Sequence, residues 1–157
     1  MQTILLIEDN RLQRMVNERL LSRAGYEVVT AADGEEALNV ASRTSPDVIL
    51  LDMMLPKLSG QEVLRSLKQN PATAHIPVIV VTALSRKNEE KLRMEGADAF
   101  LEKERLLDSS EPLLHLIERV LLQAAKKPSL LLPNATLSWT PSEIESATEG
   151  SIKSSRT

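Results

Sequence analysis

Val48-Ile49-Leu50-Leu51-Asp52 is the stretch that decides the fold, because a short run of apolar residues ends there in a carboxylate. Continuous apolar runs of this length are typical of strands in a parallel sheet whose two faces are covered by helices. Three further apolar runs end in polar residues in the same way: residues 3–7 run into Glu8-Asp9, residues 77–81 into Thr82, and residues 97–102 into Lys103. Parallel strands bring their carboxyl ends to one edge of a sheet, where ligands bind in open α/β folds. The sequence therefore predicts a polar site at that edge, with Asp52 at its centre.

The apolar runs alternate with amphipathic stretches of about 10–15 residues, which is the rhythm of βαβ units. We predict strands near residues 3–8, 26–31, 47–52, 77–82 and 97–102, and helices near residues 11–24, 34–44, 60–69, 86–95 and 111–126. Strict alternation of this kind predicts a doubly wound α/β domain over residues 1–125, with a parallel sheet covered by helices on both faces.

The ends of the predicted helices carry recognisable signals. Asn10, Asp33 and Ser59 each stand three residues before a Gln or Glu, which predicts reciprocal capping of the first turn. Gly25 and Gly96 follow helical stretches, where glycine suits a left-handed cap.

Composition argues against several classes of function. The net charge of −3 does not favour a nucleic-acid-binding surface, and the chain has few aromatic residues on which bases could stack, so we expect no direct DNA binding. The absence of cysteine excludes disulfides and thiolate chemistry. The apolar runs fall far short of the roughly 20 residues that span a membrane, and the first residues do not resemble a signal peptide. We therefore predict a cytoplasmic protein without a membrane segment.

Residues 126–157 differ in composition from the rest of the chain. They are rich in Ser, Thr and Glu and show no sustained periodicity, which predicts a disordered C-terminal tail. An alternative is that Leu130 to Trp139 docks on a partner or on the domain itself. The tail is shorter than a typical effector domain, which needs at least about 50 residues.

Each polar residue at the predicted sheet edge has an ordinary explanation when it is considered alone. Glu8-Asp9 could belong to a loop that caps a helix, and Lys103 could be a solvated surface lysine. Together they indicate more, because crowded carboxylates repel one another and a hard cation such as Mg²⁺ relieves that repulsion. An aspartate beside such an ion is a suitable nucleophile toward a phosphoryl group, and a lysine and a threonine hydroxyl could hold the phosphoryl oxygens.

The chain resembles the receiver domain of two-component response regulators, in particular the stand-alone receivers related to chemotaxis regulators, over about residues 1–125. The matching motifs are Leu6-Ile7-Glu8-Asp9-Asn10, Asp52-Met53-Met54-Leu55-Pro56 with Gly60, Val81-Thr82-Ala83, and Gly96-Ala97 through Lys103. The resemblance implies a flavodoxin-like sheet of strand order 2-1-3-4-5. It also implies a set of roles: Asp52 as phosphoacceptor; Glu8, Asp9, Asp52 and the backbone carbonyl of Met54 as Mg²⁺ ligands; Thr82 and Lys103 as contacts of the phosphoryl group; Thr82 and Phe100 as switch residues.

The chain departs from the pattern of the family at a few positions. Leu55 stands where a methionine is usual, and Glu104 follows Lys103 where a proline is usual, so the loop before the last helix is expected to differ. In the family, the face formed by the last two helices and the fifth strand often serves for dimerisation or partner binding. Met54 and Leu84 lie two residues after Asp52 and Thr82, and their apolar side chains predict slow self-dephosphorylation.

The resemblance implies a phosphoprotein of the phosphorelay type. Asp52 would receive a phosphoryl group from a histidine kinase or a phosphotransfer protein, and the aspartyl-phosphate form would act through a downstream protein partner. The chain would catalyse only its own phosphorylation and dephosphorylation, so it is not an enzyme with a small-molecule substrate. Alternatives are a fragment of a larger regulator or hybrid histidine kinase, a phosphorylation-independent binding module, and an aspartyl-phosphate phosphohydrolase. The last is disfavoured because Met54 stands where such hydrolases carry a second acid.

Overall fold

The polar residues at the strand ends are held by a single parallel sheet. The structure, a computed structural model, describes residues 1–83, 89–106 and 109–126. Within them the strands, in chain order, are β1 Thr3–Ile7, β2 Glu27–Ala31, β3 Val48–Asp52, β4 Val78–Thr82 and β5 Ala99–Glu102. They pair in parallel in the order β2-β1-β3-β4-β5. This order confirms the predicted flavodoxin-like sheet.

Helices alternate with the strands along the described residues. They are α1 Arg11–Arg23, α2 Gly34–Thr44, α3 Gly60–Gln69, α4 Glu89–Met94 and α5 Glu111–Lys126, and a short 3₁₀ helix, Lys103–Leu106, follows β5. The predicted bounds of α2, α3 and α5 are confirmed, and α1 ends one residue before the predicted end. The prediction that the fourth helix begins at residue 86 lies outside the described residues, and this helix ends at Met94 rather than residue 95.

The prediction that the fifth strand begins at residue 97 is wrong, because a turn that ends α4 occupies that position. Gly96 has a φ of 115° and the Ala97 N–H donates to the carbonyl of Leu92, so the chain is still leaving the helix there. The N–H of Asp98 donates to the carbonyl of Val78, and strand pairing with β4 begins at the next residue, Ala99. The other strands differ from their predicted bounds by one residue, at the end of β1 and at the starts of β2, β3 and β4.

Reciprocal capping forms at one of the three predicted positions. The Ser59 side chain accepts the N–H of Glu62, and the Glu62 carboxylate accepts the N–H of Ser59. Asn10 and Asp33 each accept the N–H three residues later, but the return bond is missing. The prediction fails there because the side chain at the third position bonds a different neighbour.

The sheet is covered by helices on both faces, as predicted. One apolar cluster joins the sheet to α1 and α5 through buried side chains such as Leu21 and Ile117. The other joins it to α2, α3 and α4 through side chains such as Val63 and Leu92. Every residue of β3 and β4 is buried, so the polar residues that end these strands are attached to the buried centre of the sheet.

Residues Met1–Ala125 form one compact unit. The tail predicted for residues 126–157 lies outside the described residues beyond Lys126. Among the described helices, none combines the length and the apolar character that a membrane span requires.

Candidate functional site

Three carboxylates converge at the carboxyl edge of the sheet. Glu8 and Asp9 follow β1, and Asp52 is the last residue of β3, the strand beside it. One carboxylate oxygen from each of the three lies within 4.8 Å of the others. Glu8 and Asp52 are each only 3 % exposed, whereas Asp9 is open to solvent. The predicted acidic cluster is therefore formed, with one face accessible from outside.

The ammonium group of Lys103 lies between the two buried carboxylates. Its Nζ is 2.9 Å from Oδ2 of Asp52 and 3.4 Å from Oε1 of Glu8. Lys103 opens the 3₁₀ helix directly after β5, so the strand order places it on the same edge as the acids although it is distant in sequence. The ion pairs compensate part of the negative charge that the fold concentrates there.

The electrostatics of the site follow from burial and from these charges. Burial raises the pKa of Glu8, and the charge of Asp52 raises it further, while the Asn10 N–H and Lys103 oppose the shift. For Lys103, burial alone would lower the pKa, but the hydrogen bond and the charge of Asp52, followed by those of Glu8, outweigh it and the pKa is raised. Excess negative charge in a buried cluster has these two effects: it opposes ionisation of the acid, Glu8, and it keeps the lysine, Lys103, charged.

Two hydrogen bonds orient the Asp52 carboxylate. Its Oδ1 accepts the backbone N–H of Met54 at 3.0 Å, and its Oδ2 accepts Nζ of Lys103. The Met54 side chain itself is 61 % exposed. Both oxygens are thus held by neighbours, one of which lies in the loop that directly follows β3.

Gly60 lets this loop pack against the first turn of α3. Its N–H donates to the carbonyl of Met53 at 3.0 Å. A Cβ atom at this position would lie 2.4 Å from Cα of Met53 and 2.6 Å from the carbonyl oxygen of Asp52, closer than real Cβ contacts come. The glycine in the sequence motif is therefore required by backbone packing beside Asp52.

Thr82 lies on β4, the strand next to that of Asp52, and Phe100 lies on β5, one strand further out. Thr82 ends β4, is 3 % exposed and pairs with Glu102 of β5, one residue before Lys103. Phe100 is half buried in β5 and packs against the cluster on the α2, α3 and α4 face. The structure thus brings Thr82 to the edge of the sheet that carries the acids, and it places Phe100 within the adjacent strand.

Arg14 is a site residue that the sequence analysis missed. Its Nη1 donates to the backbone carbonyls of Glu8 at 2.8 Å and Asp9 at 3.3 Å. The signal that could have found it is a basic residue one helical turn after the Asn10 cap, close enough to reach back to the acid pair.

The donor set fits a hard divalent cation. All three side chains offer carboxylate oxygens, and Mg²⁺ prefers a small number of carboxylate ligands with water at its remaining positions. The exposed Asp9 leaves room for that water, and the buried Glu8 would be favoured in its ionised form by a nearby cation.

Several known proteins and one protein family are similar to this chain. The family described as Response regulator receiver domain matches residues 4–111. The polar-differentiation response regulator DivK of Brucella anthropi is 40 % identical over 103 residues, which cover 65 % of this chain and 84 % of that protein. The chemotaxis response regulator CheY4 of Vibrio cholerae superposes with a TM-score of 0.70 at 31 % identity, covering 76 % of this chain and 98 % of that one.

A third relative holds the ion that the acidic cluster suggests. The receiver domain of the sensor histidine kinase PA1611 from Pseudomonas aeruginosa has a TM-score of 0.68 at 32 % identity, covering 76 % of this chain and 97 % of that one. Its structure contains a magnesium ion coordinated in the active site cleft. The family match, the strand order and the acidic edge lead to one conclusion: this chain belongs to the response regulator receiver domain family.

Proposed function

We propose that this receiver accepts a phosphoryl group on Asp52 from a histidine kinase or a phosphotransfer protein, in a reaction that depends on Mg²⁺. The observation that carries the proposal is the position of the Asp52 carboxylate, which lies beside two further acids and within hydrogen-bond distance of Lys103. The domain itself would span residues 1–125.

In the proposed reaction, a carboxylate oxygen of Asp52 attacks the phosphorus atom as the bond to the donor histidine nitrogen breaks, giving an aspartyl-phosphate. Glu8, Asp9, Asp52 and the backbone carbonyl of Met54 would hold Mg²⁺, which when bound supplies positive charge to offset that of the transferring group. The Met54 N–H keeps the acceptor carboxylate aimed into the site. Lys103, now paired with Asp52, would shift its contact to the phosphoryl oxygens and hold them as a point charge.

Thr82 and Phe100 would report the phosphorylated state. The Thr82 hydroxyl would donate to a phosphoryl oxygen, and Phe100 would move into the space that this shift opens. The half-buried position of Phe100, which packs against the apolar cluster, supports this. The phosphoryl group would thereby bias an equilibrium between two arrangements of the β4–β5 side of the domain.

The output would be contact with a downstream protein, and the protein would act in the cytoplasm. The face formed by α4, β5 and α5 is the proposed surface for a partner or for a second copy of the chain. Large apolar side chains exposed on its two helices, Met94 at 83 % and Leu122 at 61 %, support this assignment. Residues 126–157 would form a disordered tail.

A receiver in a larger regulator or hybrid kinase is the second candidate, because the similar Pseudomonas aeruginosa domain belongs to a sensor histidine kinase. In either setting the chemistry at Asp52 would be the same. The full reading frame decides between the two.

Labelling by a small phosphodonor tests the proposal. Wild-type protein incubated with acetyl phosphate and Mg²⁺ should gain the mass of one phosphoryl group, and Asp52→Asn should gain none while keeping its fold by circular dichroism. Asp33→Asn is the matched control, since asparagine preserves the helix cap at that position. Undiminished labelling of Asp52→Asn would refute the assignment.

A further inference from the structure

Arg14 ties the first helix to the loop that carries two of the acids. α1 begins after the Asn10 cap, and the Arg14 side chain reaches back from its first turn to the carbonyls of Glu8 and Asp9. Arg14 is half buried, whereas Arg11 at the start of the same helix is exposed. One guanidinium group thus contacts two consecutive peptide carbonyls, which belong to two of the three residues of the acidic cluster.

We propose that Arg14 is a positioning residue that holds the backbone of Glu8 and Asp9 so that their carboxylates converge with Asp52. This inference rests on the proposed Mg²⁺ site. A hydrogen bond to a carbonyl fixes the plane of its peptide group, and the direction of each side chain follows from the peptide planes on either side of it. Arg14 acts on two such planes in succession, so it restrains both acids together.

The other contacts of Glu8 show what Arg14 adds. The Glu8 N–H donates to the carbonyl of Ala31, and its Oε2 accepts the N–H of Asn10 at 3.2 Å. Arg14 secures the remaining backbone group, the carbonyl. Asp9 is exposed, and its contact with Arg14 links its carbonyl to the helix. The effect of Arg14 should therefore be greatest on the exposed acid.

The charge of Arg14 and its role in positioning the ligands lead to opposite predictions for metal affinity when Arg14 is removed. Arg14 is a cation close to a site for a cation, so its charge alone opposes metal binding, and removing it would tighten binding. If Arg14 positions the ligands, removing it weakens binding. Groups that orient metal ligands typically change affinity by about 10-fold to 100-fold when they are removed. We expect about a 10-fold loss, because Glu8 keeps its contacts with Ala31 and Asn10.

The test measures the affinity of the full chain for Mn²⁺, which binds to oxygen ligands as Mg²⁺ does and whose free form is counted by electron paramagnetic resonance. The variants are Arg14→Ala and Arg14→Lys, with Arg11→Ala as a control that removes an exposed cation from the same helix. Arg14→Ala should raise the Mn²⁺ Kd about 10-fold, and Arg14→Lys should raise it less, because its ammonium group can still bond one of the two carbonyls. Arg11→Ala should leave the Kd unchanged or slightly lower.

Stability is measured on the same samples by urea unfolding. Gly25→Ala, which strains a backbone position with a φ of 100° at the far end of α1, should lower stability without changing the Mn²⁺ Kd. A Kd for Arg14→Ala at or below the wild-type value would overturn the inference. If Arg14→Ala does not fold, Arg14→Met, which retains the apolar stem, carries the same two outcomes. Failure of the wild type to bind Mn²⁺ would instead refute the proposed metal site.

Discussion

Replacing Lys103 with methionine should destabilise the metal-free protein because it leaves the acids without their cation. The lysine Nζ lies 2.9 Å from Asp52 and 3.4 Å from Glu8, and both carboxylates are buried. Methionine has similar length and no charge, so the substitution removes the ion pairs and keeps most of the packing.

The expected loss follows from the geometry. At an effective dielectric constant of about 20, a charge pair at 2.9 Å is worth roughly 6 kcal/mol before desolvation. Removing one partner of a buried ion pair typically costs about 3–5 kcal/mol. The Lys103 side chain is 33 % exposed, so solvent screens part of the interaction and we expect a loss of about 2 kcal/mol.

Urea unfolding with a chelator present measures this loss, and the midpoint should fall by about 1 M. Lys91→Met, which removes an exposed lysine from α4, is the control and should change stability by less than about 0.5 kcal/mol. Adding Mg²⁺ should restore much of the stability of Lys103→Met and should stabilise it more than it stabilises the wild type, because a like charge has been removed from the metal site. Combining Lys103→Met with Asp52→Asn should lower stability less than Lys103→Met alone, since one uncompensated acid is gone.

Unfolding of Lys103→Met at the wild-type midpoint in chelator would refute this role of Lys103. Equal stabilisation of the wild type and the variant by Mg²⁺ would refute it as well. Either result would mean that the acids do not depend on the ammonium group for charge compensation.

Three further substitutions probe the site. Gly60→Ala should lower the free energy of unfolding in urea by about 3 kcal/mol, because the added Cβ would meet the backbone of Met53 and Asp52. The same displacement should slow labelling by acetyl phosphate, and unchanged labelling would contradict that expectation. Glu8→Gln should stabilise the metal-free protein near neutral pH. The pKa of Glu8 is raised in the folded protein, so the stability of the wild type falls as the pH rises above 4.5, the pKa of Glu8 in the unfolded chain. A gain in stability that persists below pH 4.5 would show another cause. Met54→Asn should speed the loss of phosphate from purified phosphoprotein, by offering a polar group that can orient a water; a slower loss would contradict this.

The architecture could be predicted from the sequence because strands that are buried on both faces of a parallel sheet are apolar at consecutive positions. β3 and β4 are buried at every residue, and their sequences are unbroken apolar runs. Each run ends in a polar residue where the chain leaves the sheet, so the sequence alone places Asp52 and Thr82 at one edge. Leu84, paired with Met54 in the prediction of slow dephosphorylation, lies outside the described residues.

Features that depend on local geometry could not be predicted in this way. Ala97 and Asp98 continue the apolar and polar pattern of β5, but the left-handed turn at Gly96 delays the strand. Reciprocal capping failed at Asn10 because its expected partner bonds elsewhere on α1. The role of Arg14 could not be predicted from the spacing of apolar residues, because that spacing does not depend on where a long polar side chain makes its hydrogen bonds.

The order in which the site is synthesised follows from the place of Lys103 in the chain. The acids emerge with β1 and β3, but the ammonium group that compensates them comes after β5, the last strand of the sheet. A nascent chain that ends before β5 therefore carries the repulsion of the acidic cluster without its counter-charge. Domains generally fold as units during synthesis, at about 5–20 residues per second. Folding as a unit would then bring the acids together only once the lysine that compensates them has also been synthesised.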